Sequence, residues 1–290
     1  MLLEIKNISK NFRVRSRTLM GKPTLIKAVE RVNLSLKEGE TFGLVGESGS
    51  GKTTLGRVIA GLYAADQGEI IYNGQDIHRL SKNQRLDFRR GVQMVFQDPY
   101  SSLDPRFTVQ RIMAEAFTLE RSATPGEKRQ RIESILASVQ LPVDILLRYP
   151  HEFSGGERQR IAIARALISQ PKLVILDEAV SSLDVLVQDE ILKLLAVLKV
   201  QFGLTYLFIS HNLRVVQKIS DNIAVMYKGR IVEKGPAPAV FRNPAHPYTQ
   251  ELLSAALDYR ARGDDRLWSL PDDDQGRDLG SGHWALNTIT

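Results

Sequence analysis

A glycine-rich run in the first quarter of the chain has the residue types and spacing of a phosphate-binding loop. It follows Thr41–Val45, an apolar run that predicts a buried strand, and it opens a segment that predicts a helix from about Lys52 to Leu62. Glycines let the backbone wrap closely around an anion, and the N–H groups of the loop and of the helix N-terminus face that anion. The loop consists of Gly46, Glu47, Ser48, Gly49, Ser50, Gly51, Lys52 and Thr53, and Thr54 follows it.

Two side chains of this loop are predicted to contact a nucleotide and its metal ion. We expect Lys52 to reach the β- and γ-phosphates and the hydroxyl of Thr53 to bind Mg²⁺. On its own, the pattern predicts a P-loop NTPase of any kind, a group that includes kinases, GTPases and helicases.

Two adjacent carboxylates end a second apolar run. Leu173–Leu176 predicts a buried strand, and Asp177 and Glu178 follow it directly. Ligands of such sheets bind at the carboxyl ends of the strands, so we expect Asp177 near Mg²⁺, through water, and Glu178 near the γ-phosphate. There Glu178 would polarise the attacking water as general base. Because acidic residues often follow apolar strands, this interpretation depends on the phosphate loop upstream.

The segment Phe153–Arg160 predicts a helix N-terminus. Ser154 has the position of an N-cap, and Glu157 stands three residues later, as in a capping box. A serine hydroxyl, the N–H groups of Gly155 and Gly156 and a helix N-terminus form a second phosphate-binding surface. One nucleotide cannot need both surfaces of a single chain without strain. The sequence therefore predicts two chains that share nucleotides across an interface.

The order of these motifs resembles the nucleotide-binding subunits of ABC transporters, over about residues 2–256. The resemblance implies ATP and Mg²⁺ as cofactors. It also implies an α/β P-loop NTPase core of the ABC type, with an N-terminal antiparallel β subdomain and an α-helical subdomain inserted at about 98–168. The alternation of apolar strands with helices predicts a mainly parallel sheet. The polar tail, 257–290, is assigned no structure.

The resemblance assigns catalytic roles beyond Glu178. Gln97 is implied to sense Mg²⁺ and the attacking water, and it joins Thr53 and Asp177 as a metal contact. His211, which follows the apolar run Thr205–Ile209, is implied to hold the γ-phosphate.

Other residues are implied to contact nucleotide. Ser154, Gly155, Gly156 and Glu157 correspond to the signature that reaches the γ-phosphate bound by a partner subunit. Asp184 ends the segment Ser181–Asp184, implied to communicate across the dimer. Phe12 is the predicted aromatic that stacks on adenine, with Phe42 as the alternative.

Three features resemble the oligopeptide, dipeptide and nickel importers. Phe96–Arg106 is similar to their extended loop facing the permease, although Asp104 replaces the usual asparagine. The run 243–249 is similar to their C-terminal motif. Ala179 replaces a common proline, as in nickel-type ATPases. The chain has no cysteine, which excludes the iron–sulfur cluster that cysteine-containing tails of some relatives hold.

Composition and hydropathy limit the cellular location and the binding partners that we expect for this protein. The net charge of +6 fits a solvated surface, or contact with phosphates, nucleic acid or an anionic membrane. Apolar runs are too short to span a membrane, and the N-terminus does not resemble a signal peptide. We expect a soluble, peripheral protein on the cytoplasmic face of the inner membrane. The implied partners are permease subunits, a second ATPase subunit (a heterodimer rather than a homodimer) and an extracytoplasmic substrate-binding protein, with no nucleic acid.

Two other classes of P-loop protein fit the sequence less well than a transport ATPase does. A non-transport ABC ATPase of translation or DNA repair usually has two cassettes or a long coiled-coil insertion, and the sequence contains neither. A P-loop kinase or GTPase explains neither the Ser154 motif nor His211. The cargo stays open among peptide, nickel and metal–chelate.

Overall fold

The computed structural model describes residues 1–14, 24–98, 102–120, 123–257 and 276–286. The chain divides into two compact units. Unit 1 combines Met1–Arg79 with Phe208–Thr290, and unit 2 is the continuous stretch Leu80–Leu207. Within the described ranges, none of the helices is both long enough and apolar enough to cross a membrane.

The described strands are β1 (Leu3–Val14), β2 (Thr24–Leu36), β3 (Thr41–Val45), β4 (Gln67–Tyr72), β5 (Gln75–Asp76), β6 (Val92–Val95), β7 (Leu173–Asp177), β8 (Thr205–Ser210), β9 (Asn222–Tyr227), β10 (Arg230–Pro236), β11 (Gly276–Gly280) and β12 (His283–Leu286). The helices described are α1 (Lys52–Ile59), α2 (Lys82–Gly91), α3 (Val109–Glu115), α4 (Pro125–Ser138), α5 (Gly155–Leu167), α6 (Val185–Phe202), α7 (Leu213–Ile219), α8 (Ala237–Arg242) and α9 (Pro247–Leu257). Short 3₁₀ turns lie at Ile77–Arg79, Ala116–Leu119, Val143–Leu147 and Pro150–Glu152.

The N-terminal sheet of unit 1 is antiparallel, with strand order β2-β1-β4-β5. In its register Leu3 lies opposite Leu36, and Ile5 lies opposite Leu34. All four side chains are buried, because residues two apart on a strand share one face of the sheet. The predicted N-terminal antiparallel β subdomain is confirmed.

A second sheet of unit 1 carries the phosphate loop. Strand β3 runs parallel to β9, with Leu44 opposite Ala224 and Val45 opposite Val225. Strand β3 is buried along its whole length, as expected of a strand covered on both faces. The loop leaves the carboxyl end of β3 and enters α1, which is the strand–loop–helix order that the sequence predicts.

The C-terminal segment adds a hairpin to this second sheet. Strands β11 and β12 pair with each other antiparallel, and β12 pairs with β10 through Ala285 opposite Glu233. The sequence pattern gives little sign of β11, because that strand is polar and mostly exposed. The rest of the predicted tail, 258–275 and 287–290, lies outside the described residues.

Unit 2 packs helices against parallel strands. Strand β6 pairs with β7 in parallel, with Val92 opposite Leu173 and Val95 opposite Leu176. Helix α5 is central in this unit, since it contacts α3, α4, α6 and β6. The predicted helical block at about 98–168 falls within unit 2, which also includes both strands and α6. Its status as a separate subdomain stays a prediction.

Candidate functional site

The phosphate loop contains glycine at two positions where a side chain cannot fit. Gly46 has φ 148°, and a Cβ built there would lie 2.1 Å from the carbonyl oxygen of Met226. Gly51 has φ 107°, and its Cβ would lie 2.1 Å from the carbonyl oxygen of Ala28. Both the left-handed backbone and the close approach therefore require glycine. The loop lies directly against the backbones of β9 and β2.

Lys52 folds over the loop that precedes it. Its Nζ donates to the carbonyl oxygens of Gly46 at 2.8 Å and Glu47 at 2.6 Å, and to Oγ of Ser50 at 3.3 Å. The residue is only 4% exposed, and these oxygens replace the water that its ammonium loses on burial. The predicted phosphate-binding cation is thus held inside the loop.

The remaining loop residues differ in exposure. Glu47, Ser48 and Gly49 form an exposed tip, whereas Ser50 is buried. Thr53 and Thr54 lie half-buried in the first turn of α1, where N–H groups lack intrahelical acceptors. An anion could therefore approach the tip and the helix N-terminus from solvent, as the predicted phosphate contacts require.

In unit 2 the structure brings together two predicted catalytic residues. Nε2 of Gln97 donates to Oε2 of Glu178 at 2.8 Å, although 81 residues separate the two. The parallel pairing of β6 with β7 explains this contact, because Gln97 lies just beyond the end of β6 and Glu178 follows β7. Asp177, the last residue of β7, is almost fully buried, and Glu178 is 9% exposed.

Glu178 has an unusual backbone conformation. Its φ is 49°, in the left-handed region that costs energy for any residue with a Cβ. The turn is closed by Ser181, whose N and Oγ both donate to the carbonyl oxygen of Glu178, at 3.1 Å and 2.8 Å. The turn thus fixes the backbone that carries this carboxylate, and such uncommon conformations cluster at functional sites.

Ser154 and Glu157 form a capping box at the start of α5, as the sequence predicts. Oγ of Ser154 accepts from N of Glu157 at 3.3 Å, and Oε2 of Glu157 accepts from N and Oγ of Ser154, both at 2.8 Å. These bonds hold the pKa of the Glu157 carboxyl below its ordinary value. Gly155 and Gly156 occupy the first two helical positions, whose N–H groups a helix leaves without intrahelical acceptors.

The start of α6 explains why Gly156 lacks a side chain, whereas a Cβ on Gly155 would make an ordinary van der Waals contact. A Cβ on Gly156 would lie 2.6 Å from Cγ1 of Val187, and one on Gly155 would lie 3.4 Å from Cδ2 of Leu183. Asp184 caps α6, since its Oδ1 accepts from N of Val187 at 3.0 Å. The predicted signature and the segment that contains Asp184 therefore pack against each other within unit 2.

His211 belongs to unit 1, where it follows the end of β8 directly. Its side chain is exposed, and its neighbour Asn212 caps α7 by accepting from N of Arg214 at 3.1 Å and N of Val215 at 3.4 Å. The cap fixes the chain immediately after His211. Its predicted contact with the γ-phosphate stays a prediction.

The two candidate adenine-stacking residues lie in different surroundings in unit 1. Phe12 is half-buried on β1, its ring meets that of Tyr63 edge-on at 5.6 Å between centroids, and Nζ of Lys10 lies 5.7 Å from its centroid. Phe42 is 6% exposed within β3. Of the two, Phe12 keeps ring surface in reach of a ligand, and stacking stays a prediction.

The loop expected to face a permease is described in part, since Pro99, Tyr100 and Ser101 lie outside the described residues. Beyond them, Asp104 accepts from N, Nε and Nη2 of Arg106 at 3.0, 3.0 and 2.7 Å. The guanidinium lowers the pKa of Asp104 to about 2. The aspartate that departs from the usual asparagine thus supplies an ionic partner for Arg106.

One contact of the phosphate loop involves a residue to which the sequence gives no role. The hydroxyl of Tyr248 accepts from the backbone N of Glu47 at 3.1 Å, across 201 residues of sequence. Tyr248 lies in the run 243–249, at the start of α9. In the sequence, the resemblance of the run 243–249 to a C-terminal motif is the signal for this region. That pattern does not indicate which of its residues reaches the phosphate loop.

The predicted Mg²⁺ ligands offer only oxygen donors: the hydroxyl of Thr53, the carboxylate of Asp177 and the amide of Gln97. Mg²⁺ prefers such hard oxygen ligands. Because the amide nitrogen of Gln97 donates to Glu178, its amide oxygen is the atom that could contact a metal ion. The donor set fits Mg²⁺, and binding stays a prediction.

Two family profiles match the chain. The profile described as "ABC transporter" matches residues 29–181, and "Oligopeptide/dipeptide transporter, C-terminal region" matches residues 232–277. The first range includes the phosphate loop, Gln97, Ser154 and Glu178, and the second includes the 243–249 run.

Among curated proteins, the chain is similar to bacterial transport ATP-binding proteins. It is 48% identical over 263 residues to the oligopeptide transport ATP-binding protein AppF of Bacillus subtilis (strain 168), covering 90% of this chain and 80% of AppF. It is 45% identical over 300 residues to OppF of the same organism, covering 99% and 96%. It is 48% identical over 254 residues to the glutathione import ATP-binding protein GsiA of Escherichia coli (strain K12), covering 88% of this chain and 41% of GsiA.

Solved structures of ATP-binding cassettes share this fold. The dimeric post-hydrolysis state of the cassette MJ0796, bound to ADP and Pi, matches with a TM-score of 0.70 and 28% identity, covering 81% of this chain and 98% of the cassette. CbiO1 from Clostridium perfringens matches with a TM-score of 0.71 and 26% identity, covering 89% and 96%. The predicted fold class is confirmed. The chain therefore belongs to the ABC transporter family, as an ATP-binding subunit related to the oligopeptide transport proteins and an ATPase coupled to transport.

Proposed function

We propose that this ATPase drives import through a membrane permease and that its cargo class is oligopeptides. The observation that supports ATP hydrolysis is the hydrogen bond between Gln97 and Glu178. It holds a carboxylate beside the residue expected to sense the attacking water. Import and cargo class are supported by the names of AppF and OppF and by the match of the C-terminal region.

The chain's own side chains divide the work of hydrolysis. Lys52 exchanges the carbonyl oxygens of its loop for phosphate oxygens, so its ammonium passes from one set of acceptors to another without being left unpaired. Glu178 accepts a proton from water while Gln97 orients its carboxylate. Mg²⁺, held by Thr53, Asp177 and Gln97, would neutralise charge on the transferred phosphoryl group.

Two chains complete each site in this proposal. The N-terminus of α5, with Ser154, Gly155, Gly156 and Glu157, contacts the γ-phosphate of a nucleotide bound to the other chain, and Asp184 adjoins it. The dimeric cassette with ADP and Pi among the similar structures supports this arrangement. A second, different ATPase subunit is the favoured partner.

The remaining partners follow from the importer class. Permease subunits receive the loop around Asp104 and Arg106, an extracytoplasmic binding protein delivers cargo, and the ATPase is peripheral on the cytoplasmic face of the inner membrane. Ala179 is the sequence feature that favours nickel as the alternative cargo. Glutathione import by GsiA supports small peptides.

The test is transport by the reconstituted complex. The chain would be co-expressed with candidate permease and ATPase subunits from the same organism. The ATPase activity of the complex would then be measured in proteoliposomes with a candidate binding protein plus oligopeptide or Ni²⁺. We expect peptide to stimulate hydrolysis and to enter the vesicles. Stimulation by Ni²⁺ alone would show that the cargo is nickel and not oligopeptides. Co-purification with ribosomes or DNA in place of a membrane protein would favour a non-transport ATPase.

A further inference from the structure

A buried carboxylate organises the run 243–249 in unit 1. Glu233 on β10 is fully buried, and its two oxygens accept from N of Ala245 at 2.9 Å and N of His246 at 3.0 Å. Nε2 of His283, on the C-terminal hairpin, lies 2.6 Å from Oε1 of the same carboxylate. A buried carboxyl group with three hydrogen-bond partners fixes the chain around it, because losing any partner would leave a buried polar atom less well satisfied.

The same run fixes the direction of Tyr248. Nδ1 of His246 accepts from N of Tyr248 at 3.1 Å, and the tyrosine ring packs on the ring of Tyr227 at 4.3 Å between centroids. The side chain is 3% exposed. With its backbone and ring both held, Tyr248 has little freedom to turn its hydroxyl away from the phosphate loop.

The peptide groups flanking Glu47 are held on both sides of the residue. Its N–H donates to the hydroxyl of Tyr248, while its carbonyl oxygen accepts from Nζ of Lys52 at 2.6 Å and from N of Ser50 at 3.2 Å. Rotation of either peptide would therefore shift the loop atoms that face phosphate. Burial also raises the pKa of the Tyr248 phenol, so this acceptor stays neutral beside an anion site where a carboxylate would repel phosphate.

We propose that Tyr248 is a positioning residue that holds the phosphate loop in its nucleotide-binding shape and so links the C-terminal segment to ATP affinity. The proposal rests on the nucleotide-binding role given above to this loop. Pre-ordering a loop strengthens binding because less order has to be gained when the ligand arrives. The hydroxyl acts through the backbone of Glu47 and need not touch the nucleotide.

The experiment compares two tyrosine-to-phenylalanine substitutions in the full chain. Tyr248→Phe removes the hydroxyl that holds Glu47. Tyr206→Phe is the matched control, because Tyr206 is also buried and its hydroxyl donates to the carbonyl oxygen of Leu195 at 3.0 Å in unit 2. Each variant is measured for the Kd of Mg·ATP, for kcat and KM of ATP hydrolysis, and for Tm.

We expect Tyr248→Phe to raise the Kd and KM for ATP about three- to tenfold, the range of one neutral hydrogen bond, with kcat at saturating ATP unchanged. Tyr206→Phe should lower Tm and leave the Kd unchanged. An unaltered Kd in Tyr248→Phe, or equal changes of Kd in both variants, would overturn the proposal. If the unsubstituted chain fails to bind Mg·ATP, the nucleotide-binding role itself is wrong.

Hydrogen exchange gives a second, ligand-free readout. The amide of Glu47 should exchange faster in Tyr248→Phe than in the unsubstituted chain, and peptides from unit 2 should not change. Unchanged exchange at Glu47 would contradict the positioning role even if ATP affinity fell.

Discussion

Oε2 of Glu178 lies 2.8 Å from Nε2 of Gln97, and this hydrogen bond joins the regions just beyond two neighbouring parallel strands. The amide of Gln97 is a neutral donor, so this bond orients the carboxylate without supplying a cation to pair with its charge. The pair is therefore suited to orient a base without neutralising it.

Glu178→Gln tests that assignment with little change of shape. The new amide oxygen can still accept from Gln97, but an amide cannot act as general base, so we expect turnover to fall by about 100-fold or more. ATP binding should persist, as followed by equilibrium dialysis. Glu190→Gln, at a carboxylate that is 64% exposed on α6, is the matched control and should hydrolyse ATP normally. Normal activity in Glu178→Gln would contradict the assignment.

Ser154→Ala separates the structural role of the capping box from its proposed role in hydrolysis. The chain contains a matched control, because Thr124 and Glu127 form the same capping box on α4, with Oγ1 of Thr124 accepting from N of Glu127 at 3.3 Å. Loss of either cap should lower the free energy of unfolding by about 1 kcal/mol. Chemical denaturation would measure both.

Hydrolysis should distinguish these two variants. We expect Ser154→Ala to lose ATPase activity and nucleotide-dependent dimerisation, and Thr124→Ala to retain both. Equal ATPase rates in the two variants would show that Ser154 is a helix cap and no more.

Lys52→Ala should weaken ATP binding by about tenfold or more, since a charged hydrogen-bond donor to phosphate is lost. Lys193→Ala is the control, because Lys193 is 77% exposed and pairs with Asp189 on α6. Fluorescent-nucleotide titration would measure both affinities. Comparable affinity in Lys52→Ala and Lys193→Ala would remove Lys52 from the phosphate site.

His246 should make the protein less stable in acid. Its pKa is lowered to about 4 from an ordinary 6.5, mainly by burial, with Glu233 acting in the opposite direction. As the pH falls below 6.5, the unfolded chain takes up a proton that the folded chain refuses until about pH 4, so the free energy of unfolding decreases across this window.

His246→Asn would test this pH dependence, because its side-chain oxygen can replace Nδ1 as acceptor for N of Tyr248 without titrating. Urea unfolding between pH 7 and 4 should show a shallower loss of stability in this variant. His151→Asn, at an exposed histidine, should keep the slope of the unsubstituted protein. Parallel slopes in all three proteins would contradict a role for His246.

The sequence by itself determined the chemistry of the candidate site and much of its local structure. The spacing of glycines and a lysine after an apolar strand identifies the phosphate loop. The capping box of Ser154 and Glu157 is readable from four adjacent residues. Both features are predictable because they depend on contacts within a few residues. Helix α1 begins at Lys52, as predicted, and ends at Ile59, three residues before the predicted Leu62.

Only the tertiary structure decided which distant groups meet. The hydroxyl of Tyr248 on the amide of Glu47, and the three partners of Glu233, depend on strands and helices packed from opposite ends of the chain. The hairpin β11–β12 also escaped prediction, because its polar residues pair with an existing strand edge and need little apolar pattern of their own. Local spacing indicates which groups are predicted to bind phosphate, whereas the burial and hydrogen bonding that hold those groups arise from long-range packing.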